Sequence, residues 1–156
     1  MTSDNISEKW TIVCNCDKSI LQAHGQPIQV AICHCGDCRK AEGGEPETET
    51  LALIRRDQIT SSLDLLKCVS GEQYNDKVPR YFCDSCDSYL LGDCTPIGFE
   101  MAIVPTLRIS TESKFKVPDY HMHLQEGVSI PEEDGLPKYQ GNPEDPYMAR
   151  LVQKCS

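Results

Sequence analysis

Seven of the chain's ten cysteines fall in three tight groups, and their spacing constrains the fold more than any other feature of the 156-residue sequence. Cys14-Asn15-Cys16 is a C-x-C, Cys33-His34-Cys35-Gly36-Asp37-Cys38 a C-x-C-x-x-C, and Cys83-Asp84-Ser85-Cys86 a C-x-x-C. A tight C-x-x-C turn aims both sulfurs at one point about 2.3 Å away, the Zn–S distance. In a strand, C-x-C puts both sulfurs on one face, so that pair also chelates. The simplest four-coordinate pairing joins Cys14, Cys16, Cys83 and Cys86 in a closed tetrahedral zinc site of the structural kind. It would close a loop of roughly seventy residues, the case in which a cross-link removes most unfolded-chain entropy. Cys33, Cys35 and Cys38 are left as a group of three, and three ligands leave one coordination position open, the mark of a catalytic zinc. The same residues admit disulfides, an iron–sulfur cluster on the four-cysteine set, or structural metal in both groups with His34, His121 or His123 as the fourth ligand. Cys68, Cys94 and Cys155 stand alone, as small buried hydrophobes or surface thiols.

The remaining composition favours such a staple. Hydrophobic residues make up 39% and aromatics 6%, so a core built from this chain is thin in large side chains and gains from a metal. The length fits one domain, here taken as residues 10–156 behind a mobile tail of residues 1–9. A net charge of −9 repels phosphate backbones and anionic membranes, and thiolate-bound zinc makes the balance more negative still. Nucleic acid is therefore not expected as a partner. No apolar run approaches the ~20 residues needed to cross a bilayer. The polar start Met1-Thr2-Ser3-Asp4-Asn5 lacks the order of a secretion signal, so a reducing, cytoplasmic setting is expected, where clustered cysteines mean metal or redox chemistry.

Short β-prone runs separated by ten prolines and ten glycines predict a mainly β fold with little helix. Trp10 to Val13 leads into the first cysteines, and Ile28, Val30 and Ile32 alternate with less apolar residues as a half-buried strand running into the second group. Gly43 to Thr50 reads as a loop and Leu51-Ala52-Leu53-Ile54 as a buried strand. Leu63 to Val69 is ambiguous between strand and helical turn. Tyr81-Phe82 enters the third cluster, Tyr89-Leu90-Leu91 leaves it, and Phe99 to Val104 is a further strand. Tyr147 to Val152 predicts a short terminal helix.

The order C-x-C, then CHCGDCRK (Cys33 to Lys40), then Arg80-Tyr81-Phe82-Cys83-Asp84-Ser85-Cys86 resembles the glutathione-dependent formaldehyde-activating enzyme family, which includes centromere protein V-like proteins. Asp119-Tyr120-His121-Met122 and Asp134-Gly135-Leu136-Pro137 are similar to the family's late histidine strand and G-L-P segment. The resemblance spans about residues 10 to 140. It implies a β-rich zinc fold of the Mss4-like kind, two zinc ions divided four and three as above, and carbon–sulfur bond formation or cleavage on a glutathione adduct. Departures fall at Asp17 and Asp87, where the family has glycine, so the two turns are expected to differ in shape. Others fall at Gly43-Gly44-Glu45-Pro46, at Pro105 and near Val128-Ser129, positions of the pocket rather than of the metal framework.

A zinc-bound thiol is deprotonated outright, and a zinc with three thiolates suits holding a soft thiolate more than hydrolysing an amide. A glutathione thiolate brought to an aldehyde gives a hemithioacetal, and the reverse step cleaves it. Arg39 and Lys40 are candidates to meet a ligand carboxylate, and His121 is a further substrate-binding candidate. Three functions compete: a zinc-dependent carbon–sulfur lyase on thiol adducts, a glutathione-independent zinc lyase, dehydratase or isomerase, and a non-catalytic zinc module that binds a partner.

Overall fold

In the computed structural model the described residues are 8–33, 36–41, 49–110, 118–122, 135–136 and 138, with Gly36, Cys38, Arg39, Glu49 and His121 described by their backbone alone. The described residues form nine strands, one short α-helix and four single 3₁₀ turns. A two-stranded sheet pairs β1 (Lys9–Val13) with β2 (Ile20–His24). A seven-stranded sheet holds β3 (Gln29–Cys33), β4 (Glu49–Arg55), β5 (Lys67–Val69), β6 (Arg80–Phe82), β7 (Tyr89–Asp93), β8 (Met101–Pro105) and β9 (Tyr120–Met122). Its order is β5-β6-β7-β8-β4-β3-β9, antiparallel except where β9 runs parallel to β3. The mainly β expectation holds.

The large sheet is covered on both faces, which is why its central strands read as unbroken apolar runs. In β4, Ala52 and Ile54 join one core cluster with Leu90, Leu91, Ala102 and Val104, while Leu51 and Leu53 join the other with Ala31, Ile103 and Tyr120. The β1–β2 hairpin lies over the first face. Its alternating pattern points Trp10, Ile12, Leu21 and Ala23 into that core, with Trp10 opposite Ala23 and Ile12 opposite Leu21. Single bridges from Ile12 to Ile109 and from Ala23 to Ile59 fasten the hairpin to the segments that follow β8 and β4.

Several sequence boundaries move. Lys9, counted in the tail, is the first residue of β1, and the Gly25 N–H donates to the Glu8 carbonyl at 2.8 Å. Glu49 and Thr50, placed in the Gly43–Thr50 loop, begin β4 through pairing with Cys33 and Ile32. Strand β3 buries Val30, Ala31 and Cys33, so simple alternation fails where both faces are covered. Within Leu63–Val69, Leu66 N–H closes a turn on Leu63 and only Lys67–Val69 is strand. Strand β2 was not read from the sequence, nor was the helix α1 (Gly36–Ala41). The Tyr147–Val152 helix and residues 42–48 lie outside the described residues. No helix among the described residues is long and apolar enough to cross a membrane.

Candidate metal centre

The loops that close the β1–β2 and β6–β7 hairpins are built alike. Each begins on a cysteine and ends five residues later on a serine, whose carbonyl accepts the cysteine N–H: Cys14 to Ser19 at 3.2 Å, Cys83 to Ser88 at 2.9 Å. Inside each, the residue after the second cysteine turns its N–H back to the first cysteine's carbonyl, Asp17 to Cys14 and Asp87 to Cys83. Those two aspartates sit at φ 65° and 61°, the left-handed region that favours glycine. Asp17 and Asp87 thus adopt the conformation that glycine favours, which aspartate tolerates better than most residues.

The two tips meet so that the sulfurs of Cys14, Cys16, Cys83 and Cys86 lie within 4.8 Å of one another. The Cys14–Cys16 and Cys16–Cys83 separations are 3.5 and 3.7 Å. Four sulfurs each about 2.3 Å from one ion stand roughly 3.8 Å apart, so the set fits a tetrahedral thiolate site. Cys14 and Cys83 are rooted in the core, Cys83 with no exposed surface, while Cys16 is exposed and Cys86 half-buried. None of the cysteines whose side chains are described is in a disulfide.

Donors converge on the sulfurs. Ser19 N–H donates to Cys14 Sγ at 3.2 Å, Ser85 N–H to Cys83 Sγ at 3.4 Å, and Ser88 Oγ lies 3.0 Å from Cys86 Sγ. Two contacts cross between the tips: Ser19 Oγ donates to Cys83 Sγ at 3.2 Å, and Asn15 N–H donates to Ser88 Oγ at 3.0 Å. Buried Arg108 adds a third tie, its guanidinium donating to the Asn15 side-chain oxygen and to the Tyr89 carbonyl. Such partners orient thiolate ligands and hold their charge. They also split the thiols. The Ser88 hydroxyl lowers Cys86 to about 6. Lys18 N–H favours the Cys16 thiolate, yet burial and the sulfurs of Cys14, Cys86 and Cys83 push Cys16 up to about 12. Burial opposes ionisation of Cys14, but the Ser19 N–H and its two thiol neighbours outweigh it and lower its pKa.

Of the second group, Cys33 ends β3, fully buried opposite Glu49 and beside Met122 of β9. Cys38 and Arg39 belong to α1, and Cys35 lies outside the described residues together with His34 and His123. His121 is placed in β9 next to Ile32 by its backbone register. In the sheet β4 and β9 flank Cys33 on the two sides of β3, and α1 follows it in the chain. Lys40 is the substrate candidate whose side chain is described: its Nζ donates to the Gln73 carbonyl at 2.7 Å and stands 5.2 Å over the Tyr74 ring. It borders a cleft of about 380 Å³ between α1 and the β6–β7 tip, floored by Ala41, Phe82 and Tyr89 and reaching Cys86.

The family model of the glutathione-dependent formaldehyde-activating enzyme matches residues 9–126. The chain belongs to this family. The match takes in both hairpin tips, α1 and β9, so every cysteine of the three groups falls inside it. No curated protein matches the chain. What sequence reasoning missed in this family framework were Asn15, Ser19, Ser88 and Arg108. A signal for the serines was present: Asp17-Lys18-Ser19 and Asp87-Ser88 follow the two cysteine pairs in parallel.

Proposed function

We propose that this chain is a zinc-dependent carbon–sulfur lyase-type enzyme acting on glutathione, or a related thiol, as its adduct with a small aldehyde. The family match over residues 9–126 is the observation that carries this reading. The chain acts as a single domain, from Lys9 at the start of β1 onward, in the cytoplasm. Two zinc ions per chain are assigned. Cys14, Cys16, Cys83 and Cys86 hold the structural ion, and Cys33, Cys35 and Cys38 hold the second with one position open to an outside thiol.

When bound, the second ion would keep a substrate thiol in its nucleophilic thiolate form at neutral pH. Residues on α1 and in the cleft beside it would supply binding and orientation. Lys40, fixed by the Gln73 carbonyl and the Tyr74 ring, presents an ammonium at the cleft mouth to a carboxylate of the adduct, while Arg39 offers the bidentate alternative. The apolar floor of Ala41, Phe82 and Tyr89 would accommodate the adduct's carbon chain. His121 on β9 is the remaining substrate-binding candidate. In the adding direction the thiol sulfur bonds the aldehyde carbon and the thiol proton ends on the new hydroxyl; cleavage reverses both.

Titrating zinc-loaded protein with glutathione, then with formaldehyde, tests this. The expected result is two zinc ions per chain and saturable glutathione binding that tightens when formaldehyde is present. Two tightly held ions indifferent to glutathione would contradict it.

A further inference from the structure

A six-residue helix has no stability of its own, so whatever α1 carries is positioned by its ties to the rest of the fold. The strongest tie is Asp37. The residue is 6% exposed, and its two carboxylate oxygens accept the backbone N–H groups of Asn75 and Asp76, each at 3.0 Å. A carboxylate is buried at this depth only when it is hydrogen-bonded, and here both donors come from a segment almost forty residues away in the chain.

That segment is itself rigid. Asp76 receives Arg80 through both oxygens, at 2.9 and 2.8 Å, and accepts Val78 N–H at 3.0 Å. Arg80 has no exposed surface and stacks 4.4 Å from the Tyr74 ring centre. Lys77 holds φ 63°, and Gly71 packs so close to the Lys77 carbonyl that a Cβ would collide with it. Lys40, at the far end of α1, donates to Gln73 in the same segment. Arg80 opens β6, which runs directly into Cys83. The chain of contacts thus runs from the residue before Cys38 to the strand that delivers Cys83.

We propose that Asp37 is a positioning residue: through the Asn75 and Asp76 amides it fixes α1, and with it the backbone of Cys38, relative to β6 and the four-cysteine centre. This rests on the reading that α1 carries a ligand of the second ion. Orientation of a ligand by its neighbour's hydrogen bonds is the mode by which outer partners tune metal affinity. Asp37→Asn keeps the shape but turns an amide NH₂ donor against one of the two N–H donors.

Cobalt(II) titration, followed by sulfur-to-metal charge-transfer absorption, reads the two sites separately. The native chain takes up two equivalents. Asp37→Asn binds the first as before and the second about 10- to 100-fold more weakly. Gln58→Ala removes a buried amide that caps the His24 and Gln26 carbonyls away from α1, so it lowers stability and leaves the second equivalent unchanged. A native chain that takes up one equivalent overturns the two-ion reading and this proposal with it. Two equivalents bound by Asp37→Asn with native affinities overturn the positioning role alone. Should Asp37→Asn not fold, hydrogen exchange on the native protein decides. By reciprocity of coupled equilibria, the Asn75 and Asp76 amides slow on the second cobalt equivalent and not on the first. Amides indifferent to the second equivalent overturn the proposal.

Discussion

The hairpin tips and helix α1 both carry cysteines, yet the fold holds them in opposite ways. The tips are extensions of strands: Cys14 and Cys83 are buried in the same core as Trp10, Leu90 and Leu91, and the loops repeat one backbone pattern. Helix α1 is a short element docked by side chains, with Asp37 and Lys40 reaching the 73–76 segment and Ala41 resting on Phe82 and Tyr89. A site grown from the core is part of folding, because its ligands are placed only when the sheet forms. The second group is rooted in the sheet at Cys33 alone and carries Cys38 on the docked helix, which can change its grip while the sheet stays intact. The first arrangement suits a structural ion and the second an ion that must accept and release a ligand.

The sharpest way to break that contrast is to remove one cysteine from each of the two ligand groups. Cys83→Ser is expected to abolish the cooperative unfolding transition at 25 °C, since zinc bound by four thiolates contributes on the order of 10 kcal/mol to such folds. Cys35→Ser is expected to keep the transition, by circular dichroism in urea, and lose activity. Equal unfolding by both would remove the distinction. Next in size is Arg80→Met, which strips Asp76 of its guanidinium and the Tyr74 ring of its stacking partner. Its expected cost is about 2–3 kcal/mol, below the value for a fully buried pair because Asp76 is 36% exposed.

Proton linkage gives a third test. With Cys86 near 6 and Cys16 near 12, the ion-free tips at pH 7 carry the first as thiolate and the second as thiol. Metal uptake must therefore release at least the Cys16 proton, and affinity for the first equivalent is expected to rise about tenfold or more per pH unit between pH 6.5 and 8. Competition with a chelator of known affinity measures it, and a flat profile would contradict the assignment. The smallest effect belongs to the turns. Asp17→Gly is expected to raise stability by up to about 1 kcal/mol in thermal unfolding, relieving the left-handed backbone at φ 65°. Asp87→Gly gains less, because it gives up the exposed 3.2 Å pair with Lys67.

The cysteine spacing alone was enough to group Cys14, Cys16, Cys83 and Cys86, because two chelating pairs need one tetrahedron and the chain offers few ways to make it. Central strands were legible for a similar reason: Leu51 to Ile54 and Tyr89 to Leu91 are apolar without a break. Strand β2 escaped notice because Gln22 and His24 interrupt a run of only five residues, and its partner β1 supplies half of its reason to exist. Helix α1 escaped because Gly36-Asp37-Cys38-Arg39-Lys40-Ala41 has no apolar period; what holds it is Asp37 bonding a distant loop, which no local pattern encodes. Arg108 was invisible for the same reason, its partners Asn15 and Tyr89 being remote in sequence.

On this reading the two hairpin tips by themselves supply all four ligands of the first ion. X-ray absorption at the zinc edge on protein carrying a single equivalent tests it most directly. Four sulfurs at about 2.3 Å are expected, with the same spectrum from Cys35→Ser. A shell containing nitrogen or oxygen, or loss of that ion in Cys35→Ser, would contradict it.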